Sequence, residues 1–272
     1  MNCPYSMKRE GVMPRLKIAL RVELLGLGPK AGIVAAGELG LEGVELDATR
    51  GDTTPENLSR TGRREVTRFI TSRRLQISAL NGELDIPFTD ARRADVIADR
   101  MQRIIELAVD LGVFVVVVPA VPAPAKEGKT EEGEAASQLL TDLARMAVNY
   151  ARFLAVRTGL NDGATMSAFL DQAGEGARAA YDPAALLTGG FDPLKSAGDL
   201  GKRIVHVYAR DAVGPGTGRA RLAPLGEGKV NFAEVLGALD GAGYGGFFVI
   251  ESTPGPEALA RAQAAARFLR QF

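Results

Sequence analysis

Strand-like and helix-like segments alternate along this chain from end to end, and that rhythm restricts its architecture more than any other feature. Leu16–Val22 (LKIALRV), Gly43–Ala48 (GVELDA) and Gln76–Leu80 (QISAL) read as strands. Val113–Val118 (VFVVVV) is a continuous apolar run, as expected for a strand buried on both faces of a parallel sheet. Further strands are expected near Ala155–Gly159 and at Arg178–Tyr181, Arg203–Asp211 and Gly246–Glu251. Helical pieces separate them. Lys30–Leu39 is Ala-rich, and Pro55–Arg74 has Thr54 as its candidate N-cap. Asp90 caps a helix to Leu111 with Val96, Ile97, Ile104, Ile105, Ala108 and Leu111 on one stripe. Others are expected within Glu131–Thr158 and at Thr165–Gln172, Leu194–Gly201, Asn231–Gly241 and Pro256–Phe272. Eight strands, each followed by a helix or helical fragment and with no linker between them, predict one α/β domain, a (β/α)8 TIM barrel. The Gly/Pro/charge-rich stretches Pro122–Gly133 and Val213–Gly228 then fall in loops after strands four and seven, on the face where barrel active sites are built. Residues 1–12 read as a leader outside a domain spanning 13–272, with Cys3 a free thiol.

Composition removes several functions. The chain has 33 basic and 33 acidic residues, so no global field draws it to nucleic acid or an anionic membrane. One cysteine and one histidine exclude an internal disulfide, a cysteine zinc cluster and any site needing two histidines. The N-terminus lacks an apolar secretory core, and the longest charge-free run, Leu111–Ala125, is broken by three prolines. A soluble cytoplasmic location is the expectation. The competing architecture is a dinucleotide fold, because Gly26-Leu27-Gly28-Pro29-Lys30-Ala31 matches GxGxxA and Glu45 and Asp47 follow about 20 residues later. Against it, Arg21 and Glu23 interrupt the end of the first strand, and Pro29 removes an N–H from the phosphate loop.

The ends of the last strands concentrate the chemistry. Asp182 ends strand six, in Tyr181-Asp182-Pro183, and Glu251 ends strand eight. On strand seven, alternation puts Ile204, His206, Tyr208 and Arg210 on one face and Val205, Val207 and Ala209 on the other. One carboxylate at a strand end is ordinarily a satisfied rim residue, but two flanking a polar strand point to a site. Weaker candidates are Glu45 and Asp47 on strand two, either an inward carboxylate at the site or, the favoured reading, a rim salt bridge, and Asn81 and Glu83 after strand three, within reach of a substrate hydroxyl. Tyr208 is either a packing residue or a hydrogen-bond donor. The arginines of Arg60–Arg74 interleave with glutamates and read as a solvated face.

The chain resembles the xylose isomerase-like TIM barrels, the sugar phosphate isomerase/epimerase superfamily, from Met13 to Phe272. The resemblance rests on Gly40-Leu41-Glu42-Gly43-Val44-Glu45-Leu46, Tyr181-Asp182-Pro183, the run Ile204–Asp211, Leu225-Gly226-Glu227-Gly228-Lys229-Val230-Asn231-Phe232, and Gly243-Tyr244-Gly245-Gly246-Phe247 leading to Glu251. It implies one divalent metal (Mn, Mg, Co or Zn) held by Glu, Asp, His and Glu on strands five to eight. The glutamates would also move a proton beside a sugar carbonyl through an enediolate. Asp182 and Glu251 match two of those ligands. The strand-five Glu position is Arg157, in Ala155-Val156-Arg157-Thr158-Gly159. The strand-seven ligand position is Tyr208, with the lone His206 two residues before it, and the asparagine usual after Asp-Pro-Ala is Ala185.

Three carboxylates and a dication sum to −1, as do two carboxylates and one guanidinium. Arg157 is therefore expected to take the metal's place between Asp182 and Glu251, with Glu251 the surviving acid/base group; the alternative is that Arg157 points elsewhere and the site has decayed. Two functions follow. One is a sugar, sugar phosphate or polyol isomerase or epimerase, with no cofactor or a weakly held divalent metal. The other is a metal-free carbohydrate-binding paralogue. The partner is a small sugar or polyol in either case, with no nucleic acid, no membrane and a homo-oligomer expected from the family. The single histidine argues against the DNA-repair endonuclease branch of the superfamily, which resembles endonuclease IV and uses many histidines.

Overall fold

The structure is a computed structural model that describes residues 15–124, 131–214 and 221–272. The expectations for the leader and Cys3, and parts of both long loops, lie outside the described residues. Eight parallel strands close into a barrel: β1 (Lys17–Arg21), β2 (Gly43–Asp47), β3 (Gln76–Asn81), β4 (Val115–Val118), β5 (Phe153–Arg157), β6 (Ala177–Tyr181), β7 (Ile204–Ala209) and β10 (Phe247–Ile250), with β10 pairing both β1 and β7. The dinucleotide reading is thereby overturned, because its sheet is open. Gly26 (φ 70°) ends a short 3-10 turn, and Gly28 (φ 75°) precedes Pro29, the first residue of α1 (Pro29–Glu38), where a missing N–H costs nothing.

Both faces of the barrel strands are packed. On β4, Val115 and Val117 point into the barrel while Val116 and Val118 pack in the outer layer. The barrel interior holds small residues (Ala19, Ala79, Ala155, Ala180) beside Phe247 and Tyr208, so two rings fill the space that the alanines leave. Gly43 is part of that fit, since a Cβ there would collide with the Phe247 ring. The outer layer packs against α1, α2 (Arg60–Thr71), α3 (Ala94–Asp110), α4 (Glu131–Asn149), α5 (Gly163–Ala173), α6 (Pro183–Thr188), α7 (Pro193–Leu200), α8 (Phe232–Gly241) and α9 (Ala258–Leu269).

Local departures have local causes. Ser59, not Thr54, caps α2 by accepting from Gly62 N, so that helix starts later than its periodicity implies. Asp90 caps a 3-10 turn that leads into α3, and Val96 is half exposed while Met101 and Leu107 complete the buried stripe. On β7 the expected alternation fails at its first residues. A bulge sets Ala179 opposite Ile204 and Ala180 opposite His206, which turns Ile204 outward and Val205 inward. After β7 the chain forms a two-stranded antiparallel ribbon that the sequence reading did not contain, β8 (Asp211–Val213) with β9 (Arg221–Ala223). No helix among the described residues is long and apolar enough to cross a membrane.

Candidate functional site

Parallel strands deliver their last residues to one end of the barrel, and here those residues are charged. Arg21 ends β1, Asp47 ends β2 and Arg157 ends β5; Asp182, Arg210 and Glu251 directly follow β6, β7 and β10. Glu83 lies two residues beyond β3. At the centre is Arg157, whose side chain is 12% exposed. It donates from Nε (3.1 Å) and Nη2 (2.8 Å) to Asp182 Oδ2, from Nη2 to Glu251 Oε2 at 2.5 Å and from Nη1 to Glu251 Oε1 at 3.2 Å. It also donates from Nη1 to both oxygens of Glu83 at 3.3 Å. The guanidinium therefore lies between Asp182 and Glu251, over the face of Tyr208 at 4.2 Å from the ring centroid.

Two further guanidiniums complete the cluster. Arg210 reaches Asp182 Oδ2 at 2.5 Å and Glu251 Oε2 at 3.0 Å. Arg21 reaches Glu251 Oε1 at 2.6 Å and Glu83 Oε2 at 3.2 Å. The one-guanidinium arithmetic drawn from sequence is thus incomplete: three arginines face Glu83, Asp182 and Glu251, with Glu45 and Asp47 behind Arg21. With its amide turned so that the oxygen accepts from Arg21 Nη2 (2.6 Å) and the nitrogen donates to Glu83 Oε2 (3.1 Å), Asn81 satisfies both of its polar atoms between them. It is fully buried behind them rather than open to a ligand hydroxyl.

Beneath this layer is a second one. Glu45 is not a rim residue: it is fully buried, accepts from Tyr208 Oη at 3.1 Å and lies 2.9 Å from His206 Nε2, out of line with the ring N–H. His206 meets the Tyr208 ring edge to face. Asp47 is likewise buried, and its carboxylate binds Thr49 N (2.8 Å), Thr49 Oγ1 (2.6 Å) and Arg50 Nε (3.1 Å), which fastens the loop after β2.

Burial and neighbouring charge set the ionisation of the site in opposite directions. Burial disfavours the Glu251 carboxylate, but Arg157, Arg210 and Arg21 outweigh it and pull the group down to about 2. Arg157 is penalised by burial, yet Asp182 and Glu251 raise it well above its ordinary value. Burial, then Glu45, pushes the Tyr208 hydroxyl well up, so it is a neutral donor. Arg21 and Glu23 were missed as site residues. The signal was present, since Lys17, Ala19 and Arg21 alternate with Ile18, Leu20 and Val22 on a strand whose first set faces the barrel axis.

Glu23, just beyond β1, accepts from Asp47 N at 2.7 Å through Oε1, while Oε2 is buried without a partner. Burial raises it to about 7, with Asp47 and Glu45 adding to the rise. A carboxyl group that is harder to ionise folded than unfolded stabilises fully below its unfolded value near 4.5 and loses that contribution as pH rises through 7. Glu23→Gln should therefore gain stability relative to the parent between pH 4 and pH 8, by about 2–3 kcal/mol in urea unfolding. A difference that stays constant with pH would assign Glu23 no such role.

The donors around Asp182 and Glu251 do not suit a divalent metal. Asp182 Oδ1 accepts from Ala185 N at 2.9 Å as the cap of α6, and Oδ2 accepts from two arginines. Both oxygens of Glu251 are paired with guanidiniums. Among the described residues, no group of three or more His, Cys, Asp or Glu is arranged to hold a metal ion. A dication at the centre would have to displace a permanent cation that touches both carboxylates.

The family model for xylose isomerase-like TIM barrels matches residues 33–272, and the chain belongs to that family. Among solved structures, the chain is similar to a xylose isomerase domain protein from Planctomyces limnophilus (TM-score 0.81, 18% identity, covering 95% of this chain and 96% of that one). It is also similar to a D-tagatose 3-epimerase-like protein (TM-score 0.77, 19% identity, 94% and 96% covered). A xylose isomerase-like TIM barrel protein from Mycobacterium smegmatis, in complex with magnesium, is a third (TM-score 0.71, 16% identity, 94% and 95% covered). No match was found among the curated proteins. At these identities the structural likeness establishes the fold.

Proposed function

We propose that this chain handles a small sugar, sugar phosphate or polyol at the barrel mouth, in the manner of a sugar isomerase or epimerase, with the Arg157 guanidinium standing where its relatives place a divalent metal. The observation that carries the reading is one guanidinium within hydrogen-bond distance of both Asp182 and Glu251, the two positions that match the family's ligands. Arg157 and Arg210 would hydrogen-bond a carbonyl and its neighbouring hydroxyl and hold the charge of an enediolate. Glu251 would take the proton from the carbon beside that carbonyl, after releasing one of its ion pairs to the incoming ligand. A second reading, sugar binding without chemistry, is favoured by the same carboxylate: a base held near 2 with both oxygens paired is a weak one.

Proton exchange separates the two. A panel of aldoses, ketoses and their phosphates is incubated with the protein in D2O and chelator, and the hydrogens beside the carbonyl are followed by NMR. The catalytic reading expects deuterium incorporation with at least one sugar, unaffected by chelator and lost in Glu251→Gln. Saturable binding without exchange supports the second reading. Exchange that disappears in chelator would sink the replacement of metal by Arg157.

A further inference from the structure

We propose that the ligand is a sugar or polyol bearing an apolar substituent about the size of one ring, and that the substituent sits in a cleft between the β9 ribbon and α9. This deepens the reading above and rests on it. The cleft has a volume of about 240 Å3, and its inner end is the Arg210–Glu251 ion pair. It is therefore continuous with the charged mouth. Leu222, Pro224 and Leu225 form one wall, and Ala264 and Ala265 of α9 form the other. An apolar cavity of about 150 Å3 already accommodates benzene, so this cleft takes an aromatic or branched aliphatic group. Leu222 is 47% exposed, so its side chain is open to an apolar group in the cleft.

The cleft is preformed rather than dependent on a ligand to fold it. Asp211, at the base of the ribbon, is buried and accepts from four backbone N–H groups: Ala212 (2.8 Å), Gly226 (3.1 Å), Gly228 (2.9 Å) and Val230 (3.1 Å). Gly226 (φ 88°) also lies against the Phe268 ring of α9, where a Cβ would clash, so the wall is pinned to the helix opposite it. Such rigidity reduces the ordering cost of binding. Arg261, which also lines the cleft, is held by Glu257 through Nη1 and by the Thr253 carbonyl through Nη2. Glu227, Ser252 and Thr253 also line the cleft, but among the described residues no aromatic side chain does, so a second sugar ring has no platform to stack on.

The test compares keto-sugars with their methyl and 4-nitrophenyl glycosides, in which a carbonyl away from the glycosidic carbon stays free, by isothermal titration. For any sugar that binds, the 4-nitrophenyl form should bind at least tenfold tighter than the methyl form, about 1.4 kcal/mol. That preference should collapse towards unity in Leu222→Asp and in Ala264→Trp, both changes at exposed positions that the fold tolerates. Equal affinity of the two glycosides, or a preference that survives both substitutions, overturns the cleft proposal and leaves the sugar reading standing. Failure of every sugar and every glycoside to bind overturns both.

Discussion

Arg157→Met is expected to lower the stability of the fold by about 3–5 kcal/mol, the typical cost of removing one partner from a buried ion pair. For a chain of this size that corresponds to a fall of roughly 6–20 °C in Tm. The size of the effect comes from what remains. Asp182 is fully buried and the Glu251 side chain is 10% exposed, so neither can recover its lost partner from bulk water. Arg210 and Arg21 stay in place, and they keep the loss from being larger. Lysine should rescue only in part, because a single ammonium cannot bridge two carboxylates as the planar guanidinium does. Thermal and urea unfolding of the three proteins would measure this. A methionine variant within 1 kcal/mol of the parent would mean that the cluster does not depend on its central cation.

How much of this was legible in the sequence depended on the length of the pattern that encodes it. The barrel strands were readable because apolar alternation and turn signals recur at regular intervals, and because Val115–Val118 is apolar on both faces. Asp182 and Glu251 were readable because a carboxylate that ends a strand stands out against an apolar run. The second layer was not. Glu45 was expected on the rim, since sequence does not show that a tyrosine on β7, beyond β1 and β10, donates to it across the barrel at 3.1 Å. The β8–β9 ribbon was missed because strands of three residues are too short to show a period. The inward turn of Val205 follows from a bulge against β6, which is a property of pairing and not of either strand alone. Arg21 shares the inward alternation of Lys17 and Ala19, so its place at the barrel mouth is legible in the sequence as well.

The reciprocal experiment introduces the metal-ligand residue types that the family resemblance implies. In Arg157→Glu with Tyr208→His, positions 157, 182, 208 and 251 present Glu, Asp, His and Glu, and the removed guanidinium leaves the centre short of positive charge. In chelator this variant should be less stable than Arg157→Met, because a third carboxylate joins two that have lost their bridging cation. Mn2+ or Zn2+ at a hundred times its dissociation constant should then restore about 2.7 kcal/mol, or roughly 5–10 °C in Tm. The parent should show no metal-dependent shift. Position 208 is suitably placed, since the Tyr208 ring lies directly beneath the guanidinium at 4.2 Å and the shorter imidazole would leave room above it. Losing the Tyr208 hydroxyl also frees Glu45 Oε1, which keeps its 3.6 Å pair with Arg21. Metal titrations followed by calorimetry and by Tm would decide the matter. A folded double variant that binds no divalent ion would show that the Arg157 guanidinium does not occupy a metal's position, whatever its contacts with Asp182 and Glu251.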